Sequence, residues 1–160
     1  MKEYSSDKIR NVAVVSHDGA GKTALVESLL LTSGAVDFVG KGQDNKHIMD
    51  FEPEEIKRNV TIQLVMAPCE WHDHKVNFVD TPGYNEFHGE VRAALRACDG
   101  MLMVLSATSG VETDTVRAWD YAVELQMPRM AFINKMDVDG ADFFGTIERM
   151  RELFGKGIMP

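Results

Sequence analysis

Two cysteines in 160 residues, Cys69 and Cys98, are too few and too far apart for a disulfide framework or a Cys-x-x-Cys pair. The chain is therefore expected to fold on its core alone, in a reducing, cytoplasmic setting. Basic residues are also in short supply: 17 Lys and Arg face 25 Asp and Glu, a formal net charge of -8. Phosphate neutralisation needs clustered Lys and Arg, so neither a DNA partner nor a broad nucleic-acid surface is expected. No apolar run reaches signal-peptide or membrane-spanning length, and no membrane partner is expected. Internal repeats and low-complexity tracts are missing as well. With 44% hydrophobic residues, the chain suits one domain with a sizeable core.

What is present is an alternation of short apolar runs with helical periodicity, the pattern of an α/β fold in three layers around a mainly parallel sheet. Strands are expected over Asn11 to Ser16, Val60 to Cys69, Lys75 to Asp80, Met101 to Ser106 and Arg129 to Asn134. A helix-like stretch "ALVESLLL" begins at Ala24. Further buried helix faces read as Phe87, Val91, Ala94, Leu95 and Cys98, then Val116, Trp119 and Val123, then Phe143, Ile147, Met150 and Phe154, with Gly155 as a stop. Ser33 to Asn59 has little periodicity, as a long functional loop does. The cluster Cys69, His72 and His74 lacks a fourth zinc ligand and reads as a polar hairpin turn. The chain stops at "FGKGIMP" before any strand that would complete the sheet, which suggests the N-terminal part of something longer.

Three short motifs sit at expected strand ends. "SHDGAGKT", residues 16–23, joins an apolar strand to a helix. Successive backbone N–H groups in such a turn point at a phosphate, and the positive end of the helix dipole faces the same anion. Gly19 and Gly21 allow close approach, Lys22 reaches the outer phosphates, and the Thr23 hydroxyl suits Mg²⁺. His17, Asp18, Ala20 and Ala24 complete the cradle. Its first position is Ser16 where G-x-x-x-x-G-K-[ST] has Gly, a mild departure for a small residue. "FVDTPG" ends a second strand in Asp80, a carboxylate suited to Mg²⁺, and then Gly83, whose N–H can sense a γ-phosphate.

The third motif, "INKMD", names the base. An ionised Asp only accepts, so Asp137 can take two hydrogen bonds from the N1–H and amine of guanine, whereas adenine would set acceptor against acceptor. Lys135 can lay its stem on the purine, and Asn134 stands beside them at the strand end. The set reads as a site for GTP or GDP with Mg²⁺.

These motifs, together with "KRNVTIQL", "NFVDTPGYNEFHGEV", "ACDGMLMVLSATSGVETDTVRAWDYA" and "GADFF", resemble the GTP-binding domain of translational GTPases, elongation factor G and its paralogues in particular. The resemblance implies a P-loop NTPase G domain, here ending before its last strand and helix, in a factor that hydrolyses GTP on the ribosome as a monomer. It also implies that Thr61 is the switch residue closing on Mg²⁺ and the γ-phosphate, at the end of the first switch, so that Thr23, Thr61 and Asp80 form the metal set. Lys22, Thr61, Gly83 and Tyr84 would be the catalytic set. The family has His where this chain has Tyr84, and an apolar residue then Asp where it has Asp18 and Gly19. These departures fit a divergent elongation factor G-like paralogue. They leave a second reading open, a nucleotide-dependent binding switch with little or no hydrolysis.

Overall fold

The computed structural model describes residues 2–37, 61, 63–83 and 88–160. Five apolar, mostly β-branched or methionine-rich runs form one sheet: β1 (Ile9–Val15), β2 (Val65–Trp71), β3 (His74–Asp80), β4 (Gly100–Ser106) and β5 (Arg129–Asn134). Their order is β2-β3-β1-β4-β5, with β2 antiparallel to β3 and every other pair parallel. The central strands are apolar on both faces, as in a sheet covered by helices on both sides. Ala13, Val14 and Val15 of β1 and Met103, Val104 and Leu105 of β4 are all fully buried.

A short 3-10 turn (Ser6–Lys8) precedes β1, and helices α1 (Lys22–Thr32), α2 (His88–Ala97), α3 (Thr113–Glu124) and α4 (Phe143–Phe154) complete the described elements. Val26 and Leu30 of α1 pack with Val14 and Val104 on one face of the sheet. Leu95 of α2, Trp119 of α3 and Met150 of α4 pack with Ala13, Val15, Met103 and Leu105 on the other. The result is the expected three-layer α/β fold.

Boundaries and faces differ from the sequence reading in identifiable ways. The ladder of β2 begins at Val65, which pairs with Asp80, rather than at Val60. β3 ends at Asp80, before Pro82, and the described residues Thr61, Gln63 and Leu64 lie outside the ladder. Val60 itself lies outside the described residues. The buried face of α3 is Thr115, Ala118, Trp119 and Ala122, and Val123 is 47% exposed. Small residues let this helix approach the sheet closely, and Trp119 supplies the bulk. Its ring stacks on Phe154 at 4.3 Å, and the Arg129 guanidinium lies 4.4 Å from its centroid on the sheet side. Gly155 ends α4 at φ 105°, as the sequence suggested. Phe87 falls outside the described residues, whereas Val91, Ala94 and Leu95 are buried as expected.

The "CEWHDH" stretch is a hairpin turn. His72 and Asp73 take positive φ of 45° and 61°, and Trp71 pairs with His74 across the two-residue loop. The His74 ring Nδ1 donates to the His72 carbonyl oxygen at 2.9 Å. Lys2 and Lys8 reach from the N-terminal segment to the Asp73 carboxylate on the same turn. No helix among the described residues is long and apolar enough to cross a membrane.

Candidate functional site

The parallel register brings the C-terminal ends of β1, β3, β4 and β5 to one edge of the sheet, with Val14 beside Asp80 and Ser106 beside Asn134. Ligands of open α/β sheets bind at this edge. Beyond Val15 the chain turns through residues 16–21 into α1. Ser16 is buried and keeps a negative φ, while Gly19 and Gly21 carry φ of 71° and 91°. The left-handed requirement therefore falls on the two glycines, and Ser16 meets the geometry of its position at no backbone cost. Its hydroxyl donates to the His17 carbonyl oxygen at 2.6 Å.

Lys22 opens α1 with its side chain folded into the site, 6% exposed. Burial pushes its ammonium below the ordinary lysine range, and the charges of Asp80 and Asp18 act in the opposite direction. Thr23 stands next to it, and its Oγ1 donates to Asp80 Oδ2 at 2.7 Å and lies 3.2 Å from Thr61 Oγ1. Three oxygen-bearing side chains from distant parts of the sequence therefore converge on one point. Asp80 is fully buried, at 0% exposure. Hydroxyl and carboxylate oxygens without nitrogen or sulfur are the donor set that Mg²⁺ prefers.

Asp80 is held in register by its neighbour. Thr81 is wholly buried, and both its N–H (3.3 Å) and its Oγ1 (2.9 Å) donate to the Val14 carbonyl oxygen. Gly83 then closes over the cradle. A Cβ placed there would stand 2.7 Å from Lys22 Nζ and 2.9 Å from Asp18 Cα, so only glycine fits this approach.

The "INKMD" loop is tied to the same cradle. Asn134 Nδ2 donates to the Ala20 carbonyl oxygen at 2.9 Å, and a Cβ on Gly21 would stand 2.5 Å from that amide nitrogen. Lys135 adopts a left-handed φ of 60°, which turns the chain at the strand end, and Asp137 is exposed beyond it. The loop is braced from behind: Ala107 N–H donates to the Asn134 carbonyl oxygen at 2.8 Å, and Asp142 N–H donates to the Ala107 carbonyl oxygen at 2.9 Å. Asp142 also caps α4 by accepting from Gly145 N–H at 2.8 Å.

Of the residues singled out from sequence, His17, Ala20, Lys22, Asp80 and Gly83 are buried, and Gly21, Thr23, Thr61, Asn134 and Lys135 are half-buried. Asp18, Gly19, Ala24 and Asp137 are exposed. All cluster at the one sheet edge except Tyr84, which lies outside the described residues together with 38–60 of the long loop. The braces at Thr81, Ala107 and Asp142 and the contact of His17 with Glu112 escaped the sequence reading. Only Asp142 left a signal, an N-cap residue ahead of a helical pattern.

A strand-to-helix glycine turn carrying Lys and Thr, a carboxylate at the end of the neighbouring parallel strand and an Asn-Lys-x-Asp loop on a third together define a P-loop nucleotide-binding fold of the GTPase class. Comparison with known proteins agrees. Residues 7–159 match the family model for the elongation factor Tu GTP binding domain, and the chain belongs to that family. It is a GTPase domain. It is also similar to the crystal structure of a protein from Thermus thermophilus, with 39% identity and a TM-score of 0.86 over 92% of this chain. The chain spans 22% of the length of that protein.

Proposed function

We propose that this domain binds GTP and GDP with Mg²⁺, hydrolyses GTP, and serves an elongation factor G-like translation factor acting on the ribosome. One observation carries the site reading: Thr23 Oγ1 lies within 3.2 Å of oxygens from both Asp80 and Thr61, beside the buried Lys22 ammonium. In this proposal Thr23, Thr61 and Asp80 hold the metal, which when bound supplies positive charge to the phosphates. The backbone N–H groups of residues 17–24 and Lys22 bind the phosphates, and Gly83 N–H meets the γ-phosphate. Asn134 holds the base loop against the cradle, Lys135 packs on the purine, and Asp137 reads guanine.

Phosphoryl transfer depends chiefly on positioning and on charge stabilisation, which the cradle supplies. Tyr84 follows Gly83 and is assigned to orienting the attacking water. The elongation factor G-like assignment is supported by the order and spacing of the motifs along nearly the whole chain. Competition against a fluorescent GDP analogue tests the nucleotide: GTP and GDP should displace it and ATP should not, with affinity falling when Mg²⁺ is chelated. Single-turnover hydrolysis with and without ribosomes, in a protein that carries this domain, tests the partner. A rate indifferent to ribosomes would remove the translational assignment.

A further inference from the structure

The first position of the cradle carries a hydroxyl that glycine would lack. Ser16 is 7% exposed, and its Oγ donates to the His17 carbonyl oxygen at 2.6 Å. The recess it shares with Pro82 and Gly83 has a volume of about 10 Å³, room for no more than about one water molecule. Bulk water therefore does not compete for the hydroxyl. The His17 side chain is fixed as well: it is 4% exposed, and its Nδ1 stands 3.2 Å from Oε1 of Glu112, the N-cap position of α3. The peptide unit between residues 17 and 18 is thus held by its oxygen and by the side chain that precedes it.

A trans peptide is planar, so the His17 carbonyl and the Asp18 N–H point to opposite sides of it. Turning the oxygen toward Ser16 Oγ turns the N–H the other way. Asp18 N stands 3.0 Å, and Lys22 Nζ 2.7 Å, from the point where a Cβ on Gly83 would lie, so the amide and the ammonium border the same spot. Among the described residues nothing accepts a hydrogen bond from the Asp18 N–H. A backbone donor without an acceptor, beside a buried ammonium, suits a phosphate oxygen.

We infer that Ser16 is a positioning residue for the phosphate cradle: its hydroxyl holds the His17 carbonyl oxygen back, so that the Asp18 N–H and not that oxygen meets the phosphates. With the hydroxyl gone, the peptide is free to turn, and a carbonyl oxygen facing an anion repels it. Serine in place of glycine at residue 16 therefore slows nucleotide release. The inference rests on the guanine-nucleotide reading above, and it goes beyond that reading in giving a role to a side chain that the reading leaves without one.

The test uses Ser16→Ala, Ser16→Thr and Ser16→Val in the whole chain, with the release of a fluorescent GDP analogue followed by stopped flow. Ser16→Ala should release it about fivefold faster, in keeping with the loss of one internal hydrogen bond. Threonine and valine add the same bulk and differ only in the hydroxyl, so Ser16→Thr should release the analogue more slowly than Ser16→Val by about the same factor. The ³¹P resonances of bound GDP should shift in the Ala and Val variants and stay together in the parent and the Thr variant, which a merely structural role would not produce. Unchanged release from Ser16→Ala, equal release from the Thr and Val variants, or faster release with unmoved ³¹P resonances would each overturn the assignment. If the parent chain binds no GDP at all, the nucleotide reading itself fails and takes this inference with it.

Discussion

Asn134 donates its side-chain amide to the Ala20 carbonyl oxygen at 2.9 Å, across 114 residues of sequence, and joins the loop assigned to the base with the loop assigned to the phosphates. Its value lies in preorganisation: with the link made, both halves of a nucleotide meet loops already set in place. Asn134→Ala should weaken GDP about tenfold or more, since it frees one loop and leaves a half-buried carbonyl without its donor. Titration of a fluorescent GDP analogue reads this directly, and unchanged affinity would show the link to be incidental.

Asp137→Asn replaces an acceptor-only carboxylate with an amide that also donates. Guanine binding should fall by about two orders of magnitude, by analogy with sites whose buried polar groups are left mismatched. A xanthine nucleotide, which offers an acceptor where guanine has its amine, should become the better ligand. Competition between GDP and XDP on the variant decides the matter.

Gly83→Ala forces a Cβ against the Asp18 backbone at 2.9 to 3.0 Å as well as against Lys22 Nζ. The lysine end can swing aside, but the backbone of the cradle cannot without widening. The variant should therefore lose affinity for a GTP analogue more than for GDP, by several-fold, with the thermal midpoint of the nucleotide-free chain lowered by a few degrees. Equal affinities for parent and variant would place Gly83 away from the γ-phosphate.

Lys22→Met should abolish measurable nucleotide binding and still leave a folded chain. Burial already disfavours the Lys22 ammonium, and this penalty disappears with the charge. In the parent, the depressed lysine means that the folded state releases its proton at lower pH than the unfolded chain. That contribution to stability improves as pH rises towards the ordinary lysine range. Thermal scans of parent and variant between neutral pH and about pH 10 should converge as the lysine loses its proton.

Cys98 offers a check on burial at the end of α2. Its thiol is pushed up to about 11, first by burial and then by the neighbouring Asp99 carboxylate. At pH 9 its thiolate fraction should be lower than that of an unfolded cysteine by roughly 75-fold, and alkylation should be slowed in proportion. A raised folded-state value also means that stability present below about pH 8.5 is lost as the pH climbs toward 11. Cys98→Ala should flatten that alkaline slope, and identical slopes would show the thiol to be solvated.

The site was more legible in the sequence than the packing around it. Lys22, Thr23, Asp80 and Asn134 announce themselves because their chemistry demands fixed spacing inside short loops at strand ends. The start of β2 is hard to read because the apolar run "VTIQLV" looks extended whatever lies beside it, whereas the ladder with β3 starts only at Val65. The face of α3 is hard to read because valines carry the hydrophobic signal, whereas the small Ala118 and Ala122 are the residues buried against the sheet. Contacts such as His17 with Glu112 or Thr81 with Val14 join residues with no common motif, so no local pattern could have revealed them.

Thr81 makes one further point through its two hydrogen bonds to a single oxygen of Val14. The carboxylate side of the site and the entrance to the glycine turn are riveted together at a wholly dry position, so neither can open to solvent without the other. The amides of residues 13–15 and 79–81 should therefore exchange with deuterium as one cooperative unit, in the slowest class of the molecule. Nucleotide would then add protection outward from this point, at the turn and the base loop, and leave the rivet itself unchanged.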